Sequence, residues 1–436
     1  MPSYSETLDY ILNLRGGKID LGLGRMEQAL SLFNHPERCY PAIHIAGTNG
    51  KGSTAAMLHS VLAAQGYRVA LYTSPHMVSF TERIRVGGEE IPRQEVIELA
   101  EFIRDKLTQA SIELTFFEFI TVMALIYFAR RHVDLAVVEV GLGGRLDATN
   151  LVSPVVSIIT TISKDHEAYL GSDLISIARE KAGIIKETVP VVCGLLPVEV
   201  REFIGQIAAS KSSASYSLGQ DFFFAIQDWG LFDYRGLNWK LAGVSLALPG
   251  KYQRSNAAVA LAALEILNRD FPIDETAVRE GLKSVSWPGR FECVMRRPTV
   301  ILDGAHNVEG IRALLNDLRE IQRGTKVNVL FAAMADKDWP TMLRELSAIA
   351  TDVILTRVPM ERSADPVKLA GAVPRKVAAR VIENPVQAFR WLLSGAEADQ
   401  IILVTGSLYL LGEIRPFVVE TALKKSPPGK FAGMGI

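Results

Sequence analysis

A glycine-rich turn between a strand pattern and a helix pattern constrains this chain more than any other feature of its sequence. The apolar run Ala42–Ala46 leads into residues 47–53, GTNGKGS, and Leu58, Val61 and Leu62 then recur at helical spacing. Glycines in such a turn allow backbone N–H groups to face phosphate oxygens, and the following helix N-terminus adds positive potential. The order of strand, loop and helix therefore predicts a phosphate-binding loop, in which Lys51 supplies a mobile cation.

This loop departs from the common GxxxxGKS/T pattern at two positions. Ile45 stands where the first glycine belongs, and Gly52 separates Lys51 from Ser53. A simple glycine-rich surface turn therefore stays open as an alternative at this point.

Short runs rich in valine and isoleucine alternate with helix patterns from residue 40 onward, as is typical of a parallel sheet covered by helices. Further strands are predicted at residues 68–72, 135–140, 155–160 and 189–192. Helices are predicted near residues 117–130, 173–184 and 257–267. In residues 215–248, strand-like segments alternate with turn residues, which predicts antiparallel hairpins. The first part of the chain is thus predicted to be a P-loop ATPase-type α/β domain with a small antiparallel addition.

A second α/β series follows the basic, proline-containing stretch at residues 295–298. Its strands are predicted near residues 299–303, 326–331, 352–356 and 400–405. This pattern predicts a C-terminal Rossmann-like α/β domain. We therefore divide the chain into residues 1–295 and 296–436.

Composition excludes several classes of protein. The 436 residues are 48% hydrophobic and 22% charged, as in ordinary globular chains of two or three domains. Because 47 Lys and Arg balance 48 Asp and Glu, the net charge is −1 and no global basic field would attract nucleic acid or anionic lipid. The three cysteines are far apart and have no CxxC spacing, which argues against a disulfide framework or a thiolate zinc site. The N-terminal segment lacks a basic region before an apolar core, so we expect a protein that stays in the cytoplasm.

Two side chains at predicted strand ends are candidate metal ligands. Glu139 ends the strand that precedes the glycine-rich residues 141–144, and His166 follows the strand at 155–160. Ligands bind at the carboxyl ends of parallel strands, so either side chain could reach a metal ion. The alternatives are an acid that caps a turn and a structural histidine. The segment from Gly141 does not match GxGxxG, because its last position is Leu146, and a nicotinamide site is therefore rejected.

Two further observations concern lysines. Residues 163–166, SKDH, do not satisfy the guanine-nucleotide signature N/T-K-x-D, because Asp165 comes one position early. Lys181, in the helix pattern REKAG, is on composition alone a solvated helix lysine.

Many ordered blocks resemble one family. They include HIAGTNGKGS at residues 44–53, TSPHMVSFTERIRV at 73–86, TFFEF at 115–119, VVEVGLGGRLDATN at 137–150, REKAGI at 179–184, WPGRFE at 287–292, LDGAHN at 302–307 and TGSLY at 405–409. Together they resemble the dihydrofolate synthase/folylpolyglutamate synthase family, a branch of the Mur ligase superfamily, over nearly the whole chain. The resemblance implies an ATP- and Mg²⁺-dependent acid–amino-acid ligase. Such a ligase would join L-glutamate to dihydropteroate and extend reduced folates through an acyl phosphate.

The resemblance also implies roles for individual residues. The nucleotide would be bound by Thr48, Asn49, Gly50, Lys51, Gly52, Ser53, Asn256, Arg290 and Asp303, with His306 as a weaker candidate for the same cleft and for catalysis. Mg²⁺ would be held by Ser74, Glu139 and His166, directly or through water. Lys181 matches a lysine that is carbamylated by CO₂, which overturns the solvated assignment. Dihydropteroate would be contacted by Thr115, Phe116, Phe117, Glu118, Leu146, Asp147 and Ala148, although ordinary core aromatics are the alternative for the two phenylalanines.

The chain departs from the family pattern at three places. GLGR at residues 22–25 replaces the common GLER, Tyr252-Gln253 replaces HQ, and Val308 replaces a proline. The first departure lies near the substrate and leaves folate-side specificity open. Three alternatives remain: an enzyme restricted to polyglutamylation, a Mur-type cell-wall ligase, and a P-loop ATPase or nucleotide-binding module. We expect a monomer.

Overall fold

The computed structural model describes residues 2–17, 20–228, 230–322 and 324–425. The chain forms two compact units, the first made of Met1–Leu246 with Gln253–Val285 and the second of Ala247–Tyr252 with Ser286–Ile436. The long segment of the second unit thus starts at Ser286, whereas the boundary predicted from the sequence is residue 296. The segment in between contains an edge strand that pairs with the second unit, as described below.

The helices of the first unit include the segment after the glycine-rich turn. They are α1 Tyr4–Leu12, α2 Gly24–Ser31, α3 Lys51–Ala64, α4 Arg93–Gln109, α5 Phe116–Arg130, α6 Glu167–Leu170, α7 Leu174–Ala182, α8 Val198–Ser210, α9 Lys251–Leu267 and α10 Glu275–Ser284. Its strands are β1 Ala42–Ala46, β2 Val69–Tyr72, β3 Ile84–Val86, β4 Glu89–Glu90, β5 Leu135–Glu139, β6 Pro154–Ile159, β7 Val191–Cys193, β8 Ser215–Ser217, β9 Phe223–Asp228, β10 Leu231–Arg235 and β11 Lys240–Ser245. The first two residues of α9 belong to the second unit.

The main sheet confirms the predicted parallel architecture. In the described residues its strand order is β4-β3-β2-β5-β1-β6-β7-β8, and pairing is parallel from β2 through to β8. β1 lies between β5 and β6, so the chain leaves β1 at the point where strand order reverses. Ligands bind at this point in open α/β sheets. The loops after β1, β5 and β6 therefore meet at one edge of the sheet.

The predicted antiparallel addition is present, but it begins later than expected. β9, β10 and β11 form a separate antiparallel sheet, as predicted for this part of the chain. Residues 215–217 were included in that prediction wrongly, because β8 pairs in parallel with β7 and completes the main sheet. Three residues carry too little alternation to distinguish the two kinds of strand.

A buried carboxylate attaches this small sheet to α9. Glu265 accepts hydrogen bonds from the Tyr234 hydroxyl at 2.6 Å and from the backbone N–H groups of Leu237 at 3.1 Å and Trp239 at 2.8 Å. It also accepts one from the N–H of Asn238. Donors on all sides allow a carboxylate to be buried without a cation.

The second unit confirms the predicted Rossmann-like α/β fold. Its strands are β12 Glu292–Arg296, β13 Thr299–Leu302, β14 Val327–Phe331, β15 Ala350–Leu355, β16 Ala378–Val381 and β17 Ile401–Thr405. Its helices are α11 Val308–Gln322, α12 Trp339–Leu346, α13 Pro366–Ala372, α14 Pro385–Gly395 and α15 Leu408–Lys425. Strand order is β12-β13-β17-β14-β15-β16, parallel except for β12, which pairs antiparallel with β13.

None of the helices in the described part of the chain combines the length and the apolar character needed to cross a membrane.

Candidate functional site

The loop between β1 and α3 turns on two glycines with positive φ, 148° at Gly47 and 87° at Gly50. A Cβ atom on Gly47 would lie 1.9 Å from Thr160 Oγ1, and one on Gly50 would lie 2.4 Å from Asn256 Oδ1. Glycine is required at both positions, because the loop backbone packs directly on the end of β6 and on α9. The sequence motif is therefore a built loop and not a loose surface turn.

Hydroxyl groups after β6 hold the loop in place. The N–H of Thr48 donates to Thr161 O at 2.8 Å, and the N–H of Asn49 donates to Thr161 Oγ1 at 2.9 Å. Thr160 Oγ1 donates in turn to Asn49 O at 2.7 Å. Sequence reasoning missed both threonines, although two hydroxyls directly after a strand beside β1 were a usable signal. These bonds fix the loop before any ligand arrives, which reduces the ordering cost of binding.

The anion donors of the loop come from the start of α3. The first intrahelical bond runs from Thr54 N to Gly50 O, so the N–H groups of residues 51–53 have no intrahelical carbonyl to bond. Together with the positive end of the helix dipole, these groups can donate to an anion. Because the N–H groups of Thr48 and Asn49 already bond within the protein, these two residues shape the loop.

Two lysines converge on one carbonyl of the loop. Lys51 Nζ donates to Gly47 O at 3.0 Å and to Thr48 O at 3.2 Å, and Lys181 Nζ donates to Gly47 O at 2.9 Å. Only 4% of Lys181 is exposed, so the solvated assignment made from composition is wrong. Burial, and then the charge of Lys51, lowers the pKa of Lys181 to about 7, although Asp165 and Asp147 raise it. A large fraction of this amine is therefore neutral near pH 7.

A chain of buried amides connects α9 to the loop and to α3. Gln253 Nε2 donates to Ser53 Oγ at 3.3 Å, and Asn256 Nδ2 donates to Gln253 Oε1 at 3.0 Å. Asn256 also lies against Gly50 of the loop. Gln253 was not assigned a role from the sequence.

Ser74 and Glu139, two of the three predicted metal ligands, are joined by a hydrogen bond. The N–H of Ser74 donates to Glu139 Oε2 at 3.1 Å, and Glu139 is buried at the end of β5. His166 has a φ of 52° at the start of α6, and its Nε2 lies 3.9 Å from Asp165 Oδ1. Among the described residues, no three His, Cys, Asp or Glu side chains converge to hold a metal by themselves. A hydroxyl and a carboxylate fit Mg²⁺, which takes few protein ligands and keeps water or substrate phosphate in its remaining positions.

Thr115 and Glu118 form a capping box at the start of α5. The N–H of Thr115 donates to Glu118 Oε2 at 2.7 Å, and the N–H of Glu118 donates to Thr115 Oγ1 at 3.3 Å. Arg25 also binds this carboxylate, with Nη2 to Oε1 at 2.9 Å. Glu118 is therefore neutralised within the protein, and it fixes the position of the helix start beside α2.

Phe116 and Phe117 follow the cap and are both partly exposed. The Arg83 guanidinium lies 5.4 Å from the Phe116 ring centroid. Phe117 packs beside Tyr72, with 6.1 Å between ring centroids, and a Cβ on Gly141 would lie 2.3 Å from its ring. Phe117 thus lies on the loop that follows Glu139. Both rings pack at the edge of the core and keep exposed surface.

Asp147 organises the loop that contains Leu146 and Ala148. Its Oδ2 accepts from the N–H of Leu142 at 2.8 Å, and its Oδ1 accepts from the N–H of Thr149 at 3.0 Å. Burial raises the pKa of Asp147, while its bonds to Thr149 and Leu142 lower it. Leu146 is half-buried and Ala148 is buried.

In the second unit, Asp303 holds a strained turn next to Arg290. Asp303 Oδ2 accepts from the N–H of Phe291 at 2.8 Å and from the Tyr252 hydroxyl at 3.1 Å. Phe291 has a φ of 50°, which is rare for a bulky residue. Burial raises the pKa of Asp303, and the nearby Arg290 charge opposes that rise. The structure therefore brings the predicted Arg290 and Asp303 together.

His306 follows Asp303 on the same loop. Its Nδ1 lies 2.9 Å from Gly304 O, which places the proton of a neutral ring on Nδ1. A Cβ on Gly304 would lie 2.4 Å from Arg290 Nη1, so the guanidinium lies over this glycine.

Two domain models of the Mur ligases match this chain and give its class. Residues 45–264 match the Mur ligase middle domain, and residues 289–408 match the Mur ligase glutamate ligase domain. The dihydrofolate synthase/folylpolyglutamate synthase of Bacillus subtilis is 36% identical over 408 residues, which cover 90% of this chain and 94% of that protein.

Solved structures agree with this class. Escherichia coli FolC in complex with DHPP and ADP has a TM-score of 0.89 at 32% identity and covers 97% of this chain and 100% of its own. A bifunctional folylpolyglutamate synthase/dihydrofolate synthase with Mn, AMPPNP and L-glutamate bound has a TM-score of 0.86 at 32% identity, covering 96% of this chain and 99% of its own. This chain belongs to the dihydrofolate synthase/folylpolyglutamate synthase family. It is an ATP-dependent, ADP-forming acid–amino-acid ligase.

Proposed function

We propose that this chain joins L-glutamate to dihydropteroate and adds further glutamate to reduced folates, with ATP as the energy source and Mg²⁺ as the metal. The observation that carries this proposal is the convergence of Lys51 and Lys181 on Gly47 O, in a loop fixed at the same sheet edge as Glu139 and Asp147. The related structures bound to ADP, DHPP and L-glutamate support the choice of substrates.

The reaction follows from the weakness of a carboxylate as an electrophile. The substrate carboxylate attacks the γ-phosphorus of ATP, the bond to the β-phosphate oxygen breaks, and ADP leaves with that electron pair. The glutamate amine then attacks the acyl carbon, phosphate leaves, and the amine loses a proton to give the amide. Neither step requires a covalent enzyme nucleophile, so the protein contributes positioning and charge neutralisation.

Lys51 and the N–H groups of residues 51–53 take the phosphate side of this reaction. In the described structure Lys51 bonds the carbonyls of its own loop, so nucleotide phosphates would exchange those bonds for charge-assisted ones. Asn256, which lies at Gly50, would also bind the nucleotide. The family resemblance assigns Arg290 and Asp303 of the second unit to nucleotide binding and His306 to catalysis.

Ser74, Glu139 and His166 would hold Mg²⁺, which when bound neutralises charge on the transferring phosphoryl group. Lys181 would support that site as a carbamate: its neutral amine adds to CO₂ and releases one proton, which converts a neutral group into an anion. The low pKa of Lys181, about 7, supplies the neutral amine that this addition needs.

The pterin side is assigned to the first turn of α5 and to the loop after β5. Phe116 and Phe117 offer partly exposed ring faces for a flat ligand. Thr115, Glu118 and Asp147 use most of their hydrogen-bonding groups within the protein, so we assign them mainly to holding these segments in place. Leu146 and Ala148 would contribute apolar surface. We further propose that the enzyme works in the cytoplasm as a monomer.

The test uses purified protein with ATP, Mg²⁺ and L-glutamate, and offers dihydropteroate or a reduced folate monoglutamate in separate reactions. Phosphate release and product mass are measured in each. Glutamate-dependent products from both substrates support the proposal, whereas product from the folate alone restricts the enzyme to polyglutamylation. ATP hydrolysis that needs neither glutamate nor a pterin would overturn it. Light scattering at working concentration tests the monomer.

A further inference from the structure

A buried hydrogen-bond chain runs from β1 to the loop after β5. His44 lies in the middle of β1 with none of its surface exposed. Its Nε2 lies 2.9 Å from Thr149 Oγ1, and Thr149 Oγ1 donates to Asp147 Oδ1 at 2.5 Å. Neither His44 nor Thr149 has a role in the site as described so far.

The direction of these bonds follows from counting protons. Asp147 accepts bonds from Leu142 N and Thr149 N, which lower its pKa, whereas burial, the larger effect, raises it. With Asp147 ionised, the Thr149 hydroxyl donates its single proton to Asp147, and His44 then donates to Thr149 through Nε2–H. Burial, together with the charge of Lys186, lowers the pKa of His44 to about 3, so the ring is neutral.

The second nitrogen of His44 indicates that the ring is present for its hydrogen bond to Thr149. Within the residues that the structure describes, His44 Nδ1 is buried and has no hydrogen-bond partner. A buried orphan polar atom is unfavourable, and a leucine of similar size would avoid that cost. The bond to Thr149 is the interaction that a histidine provides here and an apolar residue would not.

We propose that His44 and Thr149 are positioning residues that hold Asp147, and with it the loop at residues 142–148, in register with the strand that leads into the phosphate loop. His44 precedes Gly47 by three residues, and Asp147 bonds both ends of its own loop. This hydrogen-bond chain thus connects the segment assigned to the pterin with the segment assigned to the phosphates. This inference rests on the substrate assignment proposed above.

Such a tie matters because the substrate carboxylate must lie within reach of the γ-phosphorus. Misplacement of reacting groups by about 1 Å costs on the order of a hundredfold in rate. Loss of the tie should therefore act on the pterin substrate and leave the affinity for ATP nearly unchanged. A purely structural role would lower stability without this selectivity.

The test compares variants that break the chain with variants that keep a donor. Thr149→Val and His44→Leu each remove a hydrogen-bond donor of this chain. Thr149→Ser keeps the hydroxyl, and His44→Gln keeps an N–H donor near the position of Nε2. Ser157→Ala is the matched control, because it also removes one buried hydroxyl, which bonds Ile184 O, from the same sheet. Steady-state kcat and KM are measured for dihydropteroate, for a reduced folate and for ATP. Amide hydrogen exchange is followed in residues 141–150.

We expect Thr149→Val and His44→Leu to lower kcat/KM for the pterin substrate about tenfold or more, in line with the loss of a bond to a charged group, and to leave the KM for ATP within about twofold. Exchange at residues 141–150 should accelerate by about tenfold in the same variants. Thr149→Ser and His44→Gln should stay within about threefold of the wild type in both readouts, as should Ser157→Ala.

Two results would overturn the inference. One is unchanged exchange at residues 141–150 in Thr149→Val. The other is faster exchange with an unchanged kcat/KM for every substrate that the wild type uses. If the wild type turns over neither pterin substrate, the proposed function fails separately, and the exchange result still decides whether the chain positions the loop. If Thr149→Val does not fold, the comparison of His44→Leu with His44→Gln gives the same decision.

Discussion

Lys181→Met should make the protein more stable and inactive. The pKa of Lys181 falls from 10.5 to about 7 in the folded protein, chiefly through burial. Each unit of that shift corresponds to about 1.4 kcal/mol, or about 5 kcal/mol for the whole shift. Because the folded-state amine is already about half neutral at pH 7, keeping this lysine costs about 4 kcal/mol there. Methionine has nearly the same length and no charge to desolvate. It loses the bond to Gly47 O, worth about 1 kcal/mol, but Lys51 still donates to that carbonyl. The expected net gain at pH 7 is about 3 kcal/mol.

The pH dependence of this gain has a fixed sign. Because the pKa of Lys181 is lower in the folded state, the unfolded chain binds more protons between about pH 7 and pH 10.5. The stability of the wild type therefore rises with pH across that window, and the cost of the lysine is largest below it. The advantage of Lys181→Met should shrink steadily from pH 7 towards pH 10.

The assay is urea unfolding of the two proteins in CO₂-free buffer at pH 7 and pH 10, with ligase activity measured in parallel. Lys164→Met serves as the control, because Lys164 is exposed and its replacement should change stability by no more than about 0.5 kcal/mol. A variant that is less stable than the wild type at pH 7 would refute the reasoning. So would a difference that is the same at both pH values.

Three further predictions concern the ligand groups. Lys51→Ala should lower kcat about a hundredfold or more, because a charge on the transferring phosphate is no longer neutralised; near-normal turnover in a steady-state assay would show that this loop does not bind the phosphates. Glu139→Ala should raise the Mg²⁺ concentration needed for half-maximal rate at least tenfold through loss of a carboxylate ligand, and an unchanged Mg²⁺ titration would contradict the assignment. Tyr252→Phe removes the hydroxyl on Asp303 and should cost about 1 kcal/mol in stability. The same variant should raise the KM for ATP a few-fold, and an unaltered KM would show that Tyr252 does not contribute to nucleotide binding.

Sequence patterns located the sheet of the first unit well for a physical reason. β1 has the predicted bounds, because its five buried residues are followed directly by Gly47, whose positive φ begins a turn. β8 was misassigned because three residues reveal no period. Strand ends also predicted which loops share an edge, since parallel strands end on the same side.

Burial and hydrogen bonding of single side chains were beyond the sequence pattern. The sequence around Lys181 predicts a helix, but it does not show whether the amine bonds water or the Gly47 carbonyl. Thr160 and Thr161 likewise act only through the neighbouring strand, which joins them to Asn49 across more than a hundred residues. Nor does the sequence show that Glu118, which the resemblance assigns to the pterin, also caps α5 and binds Arg25.

The attachment of the small sheet to α9 has a consequence for how such chains can be shortened or recombined. Four donors from residues 234–239 converge on Glu265, so removing the segment from β9 to β11 would leave its carboxyl group without these partners in the same helix that carries Asn256. A deletion of this appendage therefore has to be paired with replacement of Glu265 by an apolar residue. Conversely, a foreign insert could be grafted there, provided that it presents a comparable set of donors. Any replacement of this appendage thus has to satisfy Glu265 of α9, and also Arg279 of α10, which donates to Ala242 O at 3.1 Å.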